Sequence, residues 1–320
     1  MSERLRIVIG EFMDEGAVET LRADHEVLYD PQLAVDRDRL LRDLANARAL
    51  IVRNVIQVDR ALLDGAPRLE AVGRLGVGLD NIDVATCRDR QIAVCPANGA
   101  NAVSVAEYVI AAILSLLRPL HQATAQTAAG LWGRQGFGWQ EAAGRRLGLI
   151  GFGQIGRAVA KRAAALDLHV HAFDPSIERQ DPIWARYAVG RAESLEALLR
   201  GSDILSLHVP LTAATRGLIG AGELALLPRG ALLINAARGG IVDEAALLAT
   251  LRRGDLAGAA VDVFEQEPLG YGSVFASPPP NLILTPHIAG LTQQSSIRVA
   301  ETVCRQIRQA LRAPALVAGE

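Results

Sequence analysis

At 320 residues the chain exceeds the size at which a single hydrophobic core keeps growing, so two domains are expected. Half of its residues are apolar and 21% are charged, the composition of a soluble folded protein. With 33 basic against 35 acidic residues the net charge is −2, which offers no basic field to a polyanion and excludes nucleic acid as an expected partner.

From residue 5 onward, short runs of Val, Ile and Leu alternate with helix-like segments, the pattern of a parallel sheet covered by helices. Strands are expected at 5–9, 49–52 and 92–94. Asp36 is placed to cap a helix over 39–45 and Asp59 one over 61–63, each by accepting a backbone N–H. A longer helix is expected over 101–117, ending at Pro119, with a domain boundary near Gly99. After a glycine-rich loop at 130–139, which carries Trp132, Phe137 and Trp139, a second strand series is expected at 147–150, 168–173, 204–207, 231–234, 257–263 and 282–284. A C-terminal helix over 292–311 has no strand after it and is free to return to the first domain. The expected fold is α/β: two Rossmann-like doubly wound parallel-sheet domains with a cleft between them. One comprises 1–99 and 288–320, the substrate side, and the other 100–287, the dinucleotide side.

The rest of the composition narrows the chemistry. Lys161 is the single lysine and Arg162 follows it, so a phosphate-binding loop of the Gly-Lys-Ser/Thr type is absent. Cys87, Cys95 and Cys304 are odd in number and form no CxxC pair, which predicts reduced thiols, no zinc or other metal site, and a cytoplasmic location. The N-terminal residues interleave charges with apolar positions, unlike a signal peptide, so the mature chain is expected to begin here. The longest apolar stretch, 109–117, is far short of the ~20 residues that cross a bilayer, and no membrane partner is expected.

Residues 151–156 read GFGQIG, directly after an apolar strand and directly before a helical run. Gly151 permits a tight turn, Gly153 lets a pyrophosphate approach the backbone, and Gly156 lets the helix sit close to the strand. Gln154 and Ile155 open the helix that faces the anion. Asp174 follows the next strand, 18 residues past Gly156, where it can accept hydrogen bonds from both ribose hydroxyls. Its negative charge predicts NAD over NADP, although Arg179 lies near in sequence.

Three polar residues follow expected strands of the second domain: Arg238, Glu267 and His287. Open α/β sheets bind ligands beyond their strand C-termini, so the three are placed to share a crevice. Arg238 offers a planar charged fork for a carboxylate and a carbonyl oxygen. His287 can give a proton to that oxygen, and Glu267 can hold the imidazole's other nitrogen. Singly, each also reads as a surface cation, a solvated loop charge and a capped turn histidine.

The segments around them are INAARGGIVDE (234–244), VDVFEQEP (261–268) and LTPHIAG (284–290). With GRLGVGLDNID (73–83), SVAEYVIAAIL (104–114), LGLIGFGQIGRAVA (147–160) and LHVPLTAATRGLI (207–219), they resemble, in order, the D-isomer-specific 2-hydroxyacid dehydrogenases. The resemblance implies an NAD-dependent oxidoreductase that moves a hydride between nicotinamide and a small 2-keto or 2-hydroxy acid, with Arg238, Glu267 and His287 catalytic. It implies that Asp262 contacts the nicotinamide carboxamide, and that His208, Val209, Pro210, Thr215 and Ala236 line the cofactor. Gly76, Val77 and Gly78 would present backbone N–H groups to the substrate carboxylate, with Arg53, Asn54 and Asn101 facing the substrate. The 130–139 loop resembles the family's dimerisation arm, which implies a homodimer.

Within the resemblance the substrate stays open among 3-phosphoglycerate, sulfolactate, and hydroxypyruvate or glyoxylate. A second anion would call for extra cations, for which Arg53 and Arg74 are the candidates. Formate dehydrogenases usually carry Gln where Glu267 stands. A different class is the NAD(H)-sensing corepressor of the same fold, but neither a long disordered tail nor a basic patch supports it.

Overall fold

The computed structural model describes residues 4–132 and 139–312; Phe137 of the expected arm lies outside them. The chain divides into two compact units, Met1–Asn101 with Leu291–Glu320, and Ala102–Gly290.

The first unit is built on β1 (Arg6–Ile9), β2 (Glu26–Tyr29), β3 (Ala49–Val52), β4 (Ala71–Arg74) and β5 (Ala93–Pro96). All pair in parallel, in the order β2-β1-β3-β4-β5. Both faces are covered, which is why β3 is apolar at every position and fully buried. Leu40, Leu44, Leu62 and Leu63 pack on one face, while Val18, Leu21, Val303 and Ile307 pack on the other. Asp36 and Asp59 cap their helices as expected, accepting from Arg39 N at 3.0 Å and Leu62 N at 2.8 Å. The C-terminal helix Gln293–Arg312 lies against β4, and a glycine there makes room for it: a Cβ at Gly73 would stand 2.6 Å from Val303 Cγ1.

The second unit carries β6 (Arg146–Ile150), β7 (His169–Phe173), β8 (Gly190–Arg191), β9 (Ile204–Leu207), β10 (Ala231–Asn235), β11 (Leu256–Val261) and β12 (Leu282–Leu284). Their order is β12-β11-β10-β9-β6-β7-β8, again parallel throughout. The order reverses between β6 and β9, the switch point at which doubly wound sheets hold ligands. Helix Ala102–Leu117 packs one face together with helix Gln154–Ala164. Pro119 does not end the helical path: it caps a further helix, Leu120–Ala128. Among the described residues no single helix is long and apolar enough to cross a membrane.

Candidate active site

The glycine turn gives Gly151 and Gly156 each a steric reason and leaves the space beside Gly153 open. Gly151 adopts φ 89°, and a Cβ on it would stand 2.5 Å from the His208 carbonyl oxygen. Gly156 carries no Cβ because one would lie 2.5 Å from the Gly151 carbonyl oxygen, so the helix presses on the turn. Gly153 is exposed, and the space a Cβ would fill is open, as a pyrophosphate requires. It also caps helix Gln154–Ala164 without a side chain, which leaves first-turn N–H groups available to an anion. Between the glycines, buried Phe152 stacks on Trp184 at 5.1 Å and anchors the turn.

Asp174, at the end of β7, braces this turn. Its Oδ2 accepts from Phe152 N at 2.8 Å, and its Oδ1 accepts from Ser176 N at 3.0 Å and Ser176 Oγ at 2.6 Å. A carboxylate offers about four acceptor sites, so a fourth donor such as a ribose hydroxyl can still be received. Arg179 pairs with Glu193 at 2.9 Å. After β9, Val209 closes against the glycine turn, with Cγ1 2.8 Å from the ideal Gly151 Cβ position. His208 meets Ser206 Oγ at 3.0 Å, and burial pushes its imidazole down to about 4, so it is a neutral wall of the site. Thr215 Oγ1 is spent on its own turn, donating to Pro210 O at 2.6 Å and accepting from Thr212 N at 2.8 Å. Ala236 packs partly buried beyond β10.

Arg238, Glu267 and His287 follow β10, β11 and β12, which are hydrogen-bonded neighbours in that order. The Arg238 turn is pinned by Asn235, whose Oδ1 accepts from Ala237 N at 3.1 Å and whose Nδ2 donates to Arg238 O at 3.1 Å. Arg238 is half-buried, and its Nη1 donates to Ala237 O at 2.6 Å. Next to it, Gly239 abuts the following loop so closely that any Cβ would overlap the Phe264 carbonyl.

Glu267 faces two ways: Oε1 accepts from Phe264 N at 2.9 Å and Oε2 stands 2.7 Å from His287 Nδ1. The carboxylate thereby selects the Nδ1–H tautomer and leaves Nε2 for other work. His287 sits at φ 55°, a left-handed conformation disfavoured for any residue with a Cβ. Asp262 holds it there. The Asp262 carbonyl accepts from His287 N at 2.8 Å, while the fully buried carboxylate accepts from Thr285 Oγ1 at 2.5 Å, Ile288 N at 2.9 Å and Ala289 N at 2.8 Å. Asp262 thus shapes the His287 turn, and its three donors leave one of a carboxylate's about four acceptor sites, on Oδ2, for a further donor such as a carboxamide. Tyr108 completes the chain, its OH 2.6 Å from Thr285 Oγ1 and its phenol raised by burial to about 12.

In the first unit, the loops after β3, β4 and β5 carry the remaining candidates. Arg53 is half-buried, and its guanidinium makes no hydrogen bond or ion pair among the described residues; Asn54 is exposed. Gly76 does not offer its N–H, which donates to Arg74 O at 2.7 Å, so a carboxylate nest reduces to Val77 and Gly78. Asn101 has a buried Oδ1 with no hydrogen-bond partner among the described residues. Asn235 and the clamping use of Asp262 escaped the sequence reading, because both act on backbone N–H groups that leave no mark in the sequence.

Comparison with known proteins agrees with this geometry. Residues 110–289 match the model of the D-isomer specific 2-hydroxyacid dehydrogenase NAD binding domain. The (S)-sulfolactate dehydrogenase of Chromohalobacter salexigens is 52% identical over 95% of this chain and 98% of its own length. The D-3-phosphoglycerate dehydrogenase of Archaeoglobus fulgidus is 35% identical over 95% of this chain, which spans 56% of that longer protein. The crystal structure of D-lactate dehydrogenase from Aquifex aeolicus, complexed with NAD and lactic acid, superimposes with a TM-score of 0.81 at 27% identity, covering 96% of this chain and 95% of that one. With the glycine turn, the strand-end Arg, Glu and His, and this similarity along its length, the chain belongs to the D-isomer specific 2-hydroxyacid dehydrogenase family and is an NAD-dependent oxidoreductase.

Proposed function

We propose that this dehydrogenase acts on a 2-hydroxy acid carrying a second anion, with (S)-sulfolactate as the first candidate, and prefers NAD to NADP. The observation that carries the reading is the 52% identity to (S)-sulfolactate dehydrogenase over nearly the whole of both chains. The uncommitted Arg53 supports it, being a cation left for an anionic ligand. Asp174 supports the NAD preference, since its charge opposes a 2′-phosphate.

NAD, when bound at the glycine turn, supplies the hydride acceptor for oxidation and, as NADH, the donor for reduction. Arg238 anchors the substrate carboxylate and polarises the oxygen on C2. His287 takes the hydroxyl proton at Nε2 in oxidation and returns it in reduction, while Glu267 stabilises the charged imidazolium through Nδ1. Within the first unit, the Val77 and Gly78 N–H groups are the donors suited to an anionic oxygen.

The protein works as a homodimer in the cytoplasm. Support for the dimer comes from the exposed Leu120, Leu131, Trp132 and Trp139, apolar side chains on neighbouring stretches of chain. Three buried free thiols suit a reducing compartment.

A panel of sulfopyruvate, 3-phosphohydroxypyruvate, hydroxypyruvate and glyoxylate, each assayed with NADH and with NADPH, tests the reading. Sulfopyruvate with NADH should give the highest kcat/KM, by about tenfold or more over the singly charged acids. Equal or better turnover of glyoxylate would remove the second anion from the substrate.

A further inference from the structure

Glu11 lies two residues beyond β1, at the end of the parallel sheet where the candidate substrate loop begins. Its side chain is buried, and among the described residues it meets no cation. Instead it is ringed by the backbone N–H groups of four consecutive residues. Oε1 accepts from Arg53 N at 2.8 Å, Val55 N at 3.2 Å and Ile56 N at 3.0 Å; Oε2 accepts from Asn54 N and Val55 N, both at 3.1 Å. A buried carboxylate is costly unless such donors replace its water, and this set replaces it fully.

The arrangement follows from the sheet. β1 and β3 are hydrogen-bonded neighbours, and Gly10 extends the pairing by donating to Ile51 O at 3.2 Å. Gly10 also makes room for the loop, because a Cβ there would lie 2.6 Å from Ile56 Cδ1. The segment 53–56 belongs to no helix or strand, so without Glu11 its four N–H groups would have to find water. Fixing a loop by its backbone leaves its side chains unspent. That is the state of the Arg53 guanidinium, which is held at its root and uncommitted at its tip.

We propose that Glu11 is a positioning residue for substrate recognition: an internal anion that locks the 53–56 backbone so that Arg53 and Asn54 are presented to the anionic hydroxy acid in one conformation. The proposal rests on the reading that this loop contacts substrate. It assigns Glu11 no contact with the reacting atoms.

Glu11→Gln tests it, keeping the shape but replacing one acceptor oxygen with an NH2 that faces other donors. Hydrogen exchange of the amides of Arg53, Asn54, Val55 and Ile56 should accelerate selectively. KM for the doubly charged acid should rise by about tenfold or more, with kcat within about threefold and KM for NADH unchanged, because only binding through a preorganised loop is lost. Glu11→Asp, which retains the carboxylate, should recover part of the KM, and it serves for the exchange measurement if the Gln variant does not fold. Unchanged exchange at 53–56, or an unchanged KM, overturns the role of Glu11. Arg53→Ala is run in parallel. If it leaves KM unaltered, the loop's contact with substrate is wrong at its root; if it raises KM while Glu11→Gln does not, only the positioning role fails.

Discussion

The two units share one architecture, a parallel doubly wound sheet with candidate site residues beyond its strand C-termini, but they treat those residues in opposite ways. In the second unit the candidate side chains are paired with each other or bent onto the chain: His287 on Glu267, Arg238 on Ala237 O, Asp262 on Thr285 and the turn that follows it. In the first unit the side chains are left open among the described residues, as with Arg53, whose backbone is fixed by Glu11, and the Oδ1 of Asn101. A group that moves a proton needs its tautomer and direction set before substrate arrives. A group that recognises an anion is completed by the anion. Under the proposed roles, the paired Glu267 and His287 should therefore govern kcat and the open side chains KM, while Arg238, which both anchors the carboxylate and polarises the C2 oxygen, should affect both.

The most severe test of that contrast is His287→Ala. Turnover should fall by a factor on the order of 100 or more in either direction, while NADH binding followed by its fluorescence persists. A variant that lost substrate affinity alone would place His287 with the open groups and move the proton to another residue.

Gly239→Ala probes the same contrast through the backbone. A methyl at this position overlaps the Phe264 carbonyl, so the Arg238 and Glu267 loops must separate. We expect kcat to drop by about tenfold to a hundredfold from misplacement alone, with a stability loss of about 1–3 kcal/mol from overpacking. Wild-type kinetics would mean that the two loops need not abut for catalysis.

These tests also mark where the sequence was readable. The glycine turn was legible because Gly151 and Gly156 answer steric demands of the strand-to-helix turn that a residue with a Cβ does not meet. The placement of Arg238, Glu267 and His287 after three neighbouring strands was legible from the alternating strand pattern, as was the pairing of Glu267 with His287. β2 was missed as a short edge strand with partly exposed positions, β4 because Gly73 and Arg74 interrupt its apolar run, and β8 because it has only two residues. The helix Leu120–Ala128 was hidden by Pro119, a residue that stops a helix from within and yet starts one from its cap. Gly76 was misjudged for a related reason: composition shows that an N–H exists, and only the turn shows that it is already donated to Arg74 O. Glu11 and Asp262 act on N–H groups distant in sequence, and their partners carry no side-chain signature.

A smaller effect is expected from Asp174→Asn, which keeps one acceptor oxygen for the glycine turn but removes the charge. The ratio of kcat/KM for NADPH to that for NADH should rise by about tenfold, since the repulsion of a 2′-phosphate is lost. If the ratio does not move, Asp174 serves only to brace the turn through Phe152 N, and discrimination between the cofactors lies elsewhere.

The smallest effect concerns stability, and it sharpens what pairing means in the second unit. His208 is partnered by Ser206, a neutral hydroxyl, and burial holds its imidazole near 4 against an ordinary value of 6.5. Between those pH values the unfolded chain binds a proton at this residue that the native chain refuses. Stability contributed here is therefore complete above about pH 6.5 and is lost as pH falls toward 4, by at most about 3 kcal/mol. His208→Gln keeps a polar atom near Ser206 and cannot titrate, so its Tm should decline less steeply than that of the wild type across this window. The partly buried His25, lowered by burial, and Glu244, raised by burial, remain in both proteins and contribute to the residual slope. Parallel curves for the two proteins would show that acid reaches His208 in the native state, and that its partner does not need it neutral.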